Sequence, residues 1–187
     1  KEEILQTSIN AKMAEVIPAV RMLLSQEGIK VARLRKNSLI GRFTGTKKDY
    51  ERISLPFTPD IIVYCKAHSL FVDCDGTAQE IVDEFKRSLE LFRKQNPYEP
   101  KMILFRNNGL LAVEDSSATV EILLDVFEDL IKISSYSENF GGPKFMSDKE
   151  ISFIDTWEVE NYRRKVSTAA GEGRLARKSV IITGAGQ

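Results

Sequence analysis

Residues 77–94 constrain the fold more than any other stretch of this chain. Thr77-Ala78-Gln79-Glu80 has the capping-box pattern, in which a Thr hydroxyl and a Glu carboxylate satisfy backbone donors left free at a helix start. Ile81, Val82, Phe85, Leu89 and Phe92 then fall on one stripe, opposite Asp83, Glu84, Lys86, Arg87, Glu90 and Lys94. Such a helix buries one face and leaves the other in water. The run KMILFR, the turn Asn107-Asn108-Gly109 and the run LLAVED follow, reading as two strands joined by a tight turn. Helical spacing resumes over residues 117–133 through Val120, Leu123, Leu124, Phe127, Leu130 and Ile131. Alternating helices and strands predict an α/β fold.

The flanking segments extend the pattern. Ile4, Leu5, Ile9, Met13, Val16, Ile17, Val20 and Leu23 predict a helix over residues 3–25, kinked or divided at Pro18 and ended by Gly28. KVARLR and SLIGRF flank the turn-prone Lys36-Asn37 and predict a hairpin. GTKKDYER reads as polar connection, and LPFTPD, with its two prolines, as an ordered loop. IIVYCK and SLFVD are expected to be strands, and Ser147-Asp148-Lys149-Glu150 a second capping box before a helix carrying Ile151, Ile154, Trp157 and Tyr162.

Composition limits function. With 187 residues, 42% of them hydrophobic and 29% charged, one domain of ordinary size is expected. The 27 basic residues balance 27 acidic ones, so no net field gathers nucleic acid or anionic lipid, and neither is an expected partner. No apolar run approaches the ~20 residues that span a bilayer, and KEEILQTSIN lacks the apolar core of a signal peptide. A cytoplasmic protein is expected, with Cys65 and Cys74 as ordinary buried thiols.

Four stretches in this order, PDIIVYCKAHSLFVD, MILFRNNGLLAVEDS with its following helix, EISFIDTWEVENYRRK and ARKSVIITGAG, resemble fused proteins that join a class II aldolase/adducin-like domain to a short-chain dehydrogenase/reductase. The resemblance runs from about residue 28 to residue 187. It implies a mixed sheet flanked by helices over residues 1–166, a linker over 167–177, and the first strand of a Rossmann domain with the start of its Gly-rich turn over 178–187. Because residue 1 is Lys and the Gly-rich motif is cut short at Gln187, the chain is expected to be a truncated piece of a bifunctional carbohydrate-metabolism protein, inactive by itself.

The resemblance also implies ligands. Thr183, Gly184 and Gly186 match the first part of the pyrophosphate-binding turn of an NAD(P) site. The glycines that complete the turn and the helix that holds the phosphates are expected beyond residue 187, so this chain itself should bind no dinucleotide. Class II aldolases hold a divalent metal, zinc-like, with histidines. Here an HxH pair is expected upstream or is missing, and the family's Asn-His-Gly-Leu turn reads Asn107-Asn108-Gly109-Leu110, which leaves an amide where an imidazole is wanted. Metal chemistry is therefore an expectation for the longer protein, with a sugar or sugar phosphate as substrate and a homo-oligomer as the assembly. The alternative is a non-catalytic adducin-like oligomerisation or recognition module. A self-sufficient small-molecule-binding domain is a third reading, for which no motif stands in the sequence.

Other candidates read as structural. His68, the one histidine, lies between two expected strands and is taken as structural rather than as a general base. Asp73, Asp75, Glu114 and Asp115 sit at strand ends, where carboxylates collect metals but also cap helices, and caps are expected. Phe153, Trp157, Tyr162, Arg163 and Arg164 are expected to pack one helix on the core, with an interface as the rival reading.

Overall fold

The computed structural model describes residues 4, 5, 7–26 and 28–156. Its centre is a four-stranded mixed sheet in the order β1-β4-β3-β2. Strands β3 (Met102–Phe105) and β4 (Gly109–Glu114) form an antiparallel hairpin with Phe105 opposite Gly109. β1 (Val31–Arg35) runs antiparallel to β4, and β2 (Leu70–Val72) runs parallel to β3.

Side chains alternate across a strand, so a sheet covered on both faces needs apolar residues at every position. β3 and β4 meet that requirement. Met102, Leu104, Leu110 and Ala112 face α2 (Ser38–Thr44), α4 (Pro59–Cys65) and α6 (Ser117–Ser137), and Ile103, Phe105, Leu111 and Val113 face α1 (Met13–Leu23) and α5 (Ala78–Gln95). The molecule is a three-layer α/β/α arrangement built on this hairpin. Its mixed sheet flanked by helices matches the expected fold class, while the Rossmann strand expected at 178–187 lies outside the described residues.

The strongest sequence signals correspond to the firmest elements. In α5 both hydrogen bonds of the Thr77–Glu80 capping box are formed, and Ile81, Phe85, Leu89 and Phe92 are buried. All six apolar residues expected in α6 are buried, and the helix continues to Ser137, where Ser134 turns its hydroxyl to the Arg52 carbonyl at 3.0 Å. The second box forms too, with the Glu150 carboxylate accepting from the Ser147 N–H at 2.7 Å ahead of α7 (Asp148–Thr156).

Three expectations fail. SLIGRF is helix α2, because the Asn37 side-chain oxygen accepts from the Ile40 N–H at 2.8 Å and acts as an N-cap rather than a turn residue. β1 therefore pairs with β4, and no hairpin forms across Lys36-Asn37. IIVYC is helix α4, opened by Thr58 in extended conformation and Pro59 in the first turn, where a missing N–H costs nothing. Finally, α1 begins only at Met13 and ends at Leu23, ahead of Gly28, and Pro18 sits inside it. Ala14 and Pro18 are both exposed, so the carbonyl that Pro18 leaves without its donor lies on the water side. The polar stretch after α2 contains a further short helix, α3 (Lys47–Glu51), capped by Thr46.

Candidate functional site

Because β2 and β3 are parallel, the segments that leave their carboxyl ends converge. Asp73 to Gly76 lead from β2 into α5, and Arg106 to Asn108 form the turn from β3 to β4. The turn is fixed by backbone bonds, Arg106 N–H to the Val72 carbonyl (3.1 Å) and Asn107 N–H to the Thr44 carbonyl (2.9 Å). Asn107 adopts φ 57°, and Gly109 φ 115°. A Cβ on Gly109 would stand 2.7 Å from the Arg35 carbonyl oxygen, so only glycine lets β4 start this close to β1.

Asp75 is the focus of this end. Its Oδ1 accepts from Lys12 Nζ at 2.7 Å and from Asn108 Nδ2 at 2.9 Å, and its Oδ2 accepts from Asn107 Nδ2 at 2.8 Å. Lys12 Nζ also donates to the Asp75 carbonyl (2.9 Å) and the Gly76 carbonyl (3.0 Å), so its three N–H groups meet three oxygens. Asn108, 1% exposed, places its other amide hydrogen on the Arg106 carbonyl at 2.6 Å. A carboxylate and a carbonyl can only accept, so the amide orientation is fixed by chemistry: nitrogen, not oxygen, faces Asp75. Partial burial alone would raise the Asp75 carboxyl, but the hydrogen bonds from Lys12, Asn107 and Asn108 outweigh it and hold the group at about 2. Asp75 is thus an anion at neutral pH, a weak base held by three side-chain donors, which does not suit proton abstraction.

The expected cap residues take other roles. Thr77 and Ser116 cap α5 and α6 themselves. Asp73 pairs with Arg106 at 3.2 Å, Asp115 with Lys30 at 2.7 Å, and Glu114 with Lys101 and Lys30. The corrected reading is that these carboxylates neutralise cations from distant parts of the chain. His68 lies at the opposite end of β2 from Asp75, half-buried, its backbone N–H donating to Tyr98 Oη at 3.2 Å. Cys65 is buried with Sγ 3.6 Å from the Leu123 carbonyl, and burial pushes its thiol up to about 12, which excludes a nucleophile; Cys74 is half-buried. Phe153 is exposed, whereas Trp157, Tyr162, Arg163, Arg164 and the cofactor residues Thr183, Gly184 and Gly186 lie outside the described residues. Lys12, which sequence reasoning missed, stands 63 residues from Asp75 with no motif to announce it.

A zinc-like ion does not fit this turn. Asn108 offers hydrogens where a ligand atom is needed, the Lys12 ammonium fills the oxygen cage beside it, and the single imidazole of the chain is elsewhere. Among the described residues no three His, Cys, Asp or Glu side chains group around one point.

Among solved structures the chain is similar to an L-fuculose 1-phosphate aldolase, with a TM-score of 0.54 and 14% sequence identity over 78% of this chain and 62% of that one. The fold is class II aldolase-like. At this identity the likeness carries the fold alone, and the chain spans less than two thirds of the aldolase's length. No family model matches the sequence, and no curated protein matches it. Within the aldolase-like frame, no helix among the described residues is long and apolar enough to cross a membrane.

Proposed function

We propose that residues 1–166 are the class II aldolase/adducin-like unit of a larger carbohydrate-metabolism protein, and that this unit performs no aldol chemistry, acting instead as a recognition or oligomerisation module. The Asp75 focus carries the reading. Aldol cleavage by a class II site needs a Lewis acid to polarise the carbonyl and hold the enediolate. Here the turn that would supply a ligand presents amide hydrogens to a carboxylate already neutralised by Lys12. The aldolase-like fold favours a second reading, a sugar-phosphate aldolase domain whose metal ligands come from other parts of a longer polypeptide.

The SVIITGAG stretch supports the other half of the proposal, an NAD(P)-dependent short-chain oxidoreductase entered at residue 178, with Thr183, Gly184 and Gly186 in its pyrophosphate turn. Two assays separate the readings. The longer protein, incubated with Zn²⁺ and L-fuculose 1-phosphate or other ketose 1-phosphates, should cleave none of them faster than Zn²⁺ alone, and light scattering of the 187-residue chain should give at least twice 21.1 kDa. Metal-dependent cleavage sinks the module reading; a monomer sinks its oligomerisation form. In the longer protein, Gly186→Val should abolish dinucleotide binding, and unchanged binding would remove the oxidoreductase half.

A further inference from the structure

At the open end of the β3–β4 hairpin, away from Asp75, a cavity of about 570 Å³ lies between the carboxyl ends of α1 and α5 and the last residues of β4. The volume falls in the range of small-molecule sites. Four cations line it, and none is without a partner. Lys30 pairs with Asp115 at 2.7 Å, Arg93 with Glu99 at 2.8 Å and Lys101 with Glu114, while Lys66 Nζ stands 5.1 Å from the centre of the Tyr98 ring. An anion entering here would compete with carboxylates already in place. A ligand without net charge would leave every ion pair standing.

Hydrogen-bonding capacity, unlike charge, is left over. Arg93 gives Nε to Glu99 and Nη2 to the Leu23 carbonyl (3.3 Å), two of the five N–H groups of a guanidinium, and no described residue accepts from the other three. Glu99 uses only Oε1 in that bond, so Oε2 has no donor among the described residues. Asn96 turns its Nδ2 to the Phe92 carbonyl at 3.0 Å, which leaves its Oδ1 as an acceptor. All three residues line the cavity, so donors and acceptors stand together on its α5 side. A hydroxyl both donates and accepts, and neighbouring hydroxyls on one molecule can meet both kinds of group. Leu24, Pro100 and Val113 supply apolar wall for a carbon skeleton.

The backbone gives an independent sign. Lys66, at the carboxyl end of α4, has φ 69° and ψ 163°, a conformation almost confined to glycine. Strained residues of this kind gather at ligand sites. Here the strained residue sets its ammonium over Tyr98, a ring braced by Phe92, edge-on at 5.9 Å between centres, and by the His68 N–H on its hydroxyl. Side chains fixed in advance lose little further freedom on binding. We propose that this cavity binds a small uncharged polyol through neighbouring hydroxyls, with Arg93, Glu99 and Asn96 as its polar contacts and Lys66 as a further donor. The site shares no residue with the Asp75 focus, and its failure would leave the aldol and oligomerisation tests untouched.

The test is titration of the ¹⁵N-labelled 187-residue chain with glucose, galactose, mannose and myo-inositol, read by amide shifts, beside cyclohexanol and inorganic phosphate. At least one of the four polyols should give saturable shifts centred on Lys66, Arg93, Asn96 and Tyr98. Cyclohexanol, with a single hydroxyl, should give none, and phosphate should bind more weakly than that polyol. Arg93→Met should weaken the polyol by about tenfold or more. Lys66→Gly serves should that variant fail to fold: glycine adopts φ 69° without strain, so the urea midpoint should rise while the polyol binds several-fold more weakly. Absence of saturation by all four polyols, phosphate binding as tight as theirs, or affinity unchanged by either folded variant would overturn the proposal.

Discussion

The two ends of the β3–β4 hairpin hold similar charges and arrange them differently, around one carboxylate at the turn and around a cavity at the open end. At the turn, Lys12, Asp75, Asn107 and Asn108 satisfy one another, and the Asp73–Arg106 pair closes the rim. At the open end, Lys30 pairs with Asp115 at 2.7 Å, Arg93 with Glu99 at 2.8 Å and Lys101 with Glu114, around a cavity of about 570 Å³. Apart from the buried Arg106 Nε, which has no hydrogen-bond partner among the described residues, the polar side-chain groups around Asp75 are consumed internally. A polar cluster is a candidate site only when its donors and acceptors do not already balance.

Substitutions separate the ends by size of effect. Gly109→Ala should be the most damaging, because the new Cβ meets the Arg35 carbonyl and φ 115° suits no L side chain; about 3 kcal/mol of stability should be lost in urea denaturation. Asn108→Asp removes both donors and sets a second carboxylate against Asp75, and should cost about 2 kcal/mol at pH 7. Glu114→Gln at the open end should cost about 1 kcal/mol, by taking the carboxylate from Lys101 while Lys30 keeps Asp115. A loss at Glu114→Gln as large as that at Asn108→Asp would erase the distinction between the ends.

Much of the architecture is legible in the sequence, and for identifiable reasons. The α5 and α6 stripes and the two capping boxes are signals local to one turn or one helix, and each corresponds to a formed element. Residues 38–44 and 59–65 mislead because a short apolar run with β-branched residues satisfies either period, and the deciding groups, Asn37 and Thr58-Pro59, double as turn signals. The candidate site is legible only in part. Asn107-Asn108-Gly109 marks a turn in the sequence, but the partners that neutralise it, Lys12 and Asp75, come from 32 and more residues away. The same holds for the cavity: Lys30 and Glu114 meet only because β1 pairs with β4 rather than with the residues that follow it.

The smallest effect concerns pH. Asp75 has its folded value lowered to about 2 from an ordinary 3.8, so its contribution to stability is complete above about pH 4 and is lost as pH falls through about 2. Asp75→Asn should therefore flatten the decline of the urea midpoint between about pH 4 and pH 2. A decline as steep as in the unsubstituted protein would show that other carboxylates govern the acid limb.

The most direct measurement is a ¹³C NMR titration of the Asp75 carboxyl with and without Zn²⁺. A midpoint near 2 in both conditions is the result expected of a carboxylate held by Lys12, Asn107 and Asn108. A midpoint at or above 3.8, or one displaced by the metal, would contradict an Asp75 carboxylate already matched by these three donors.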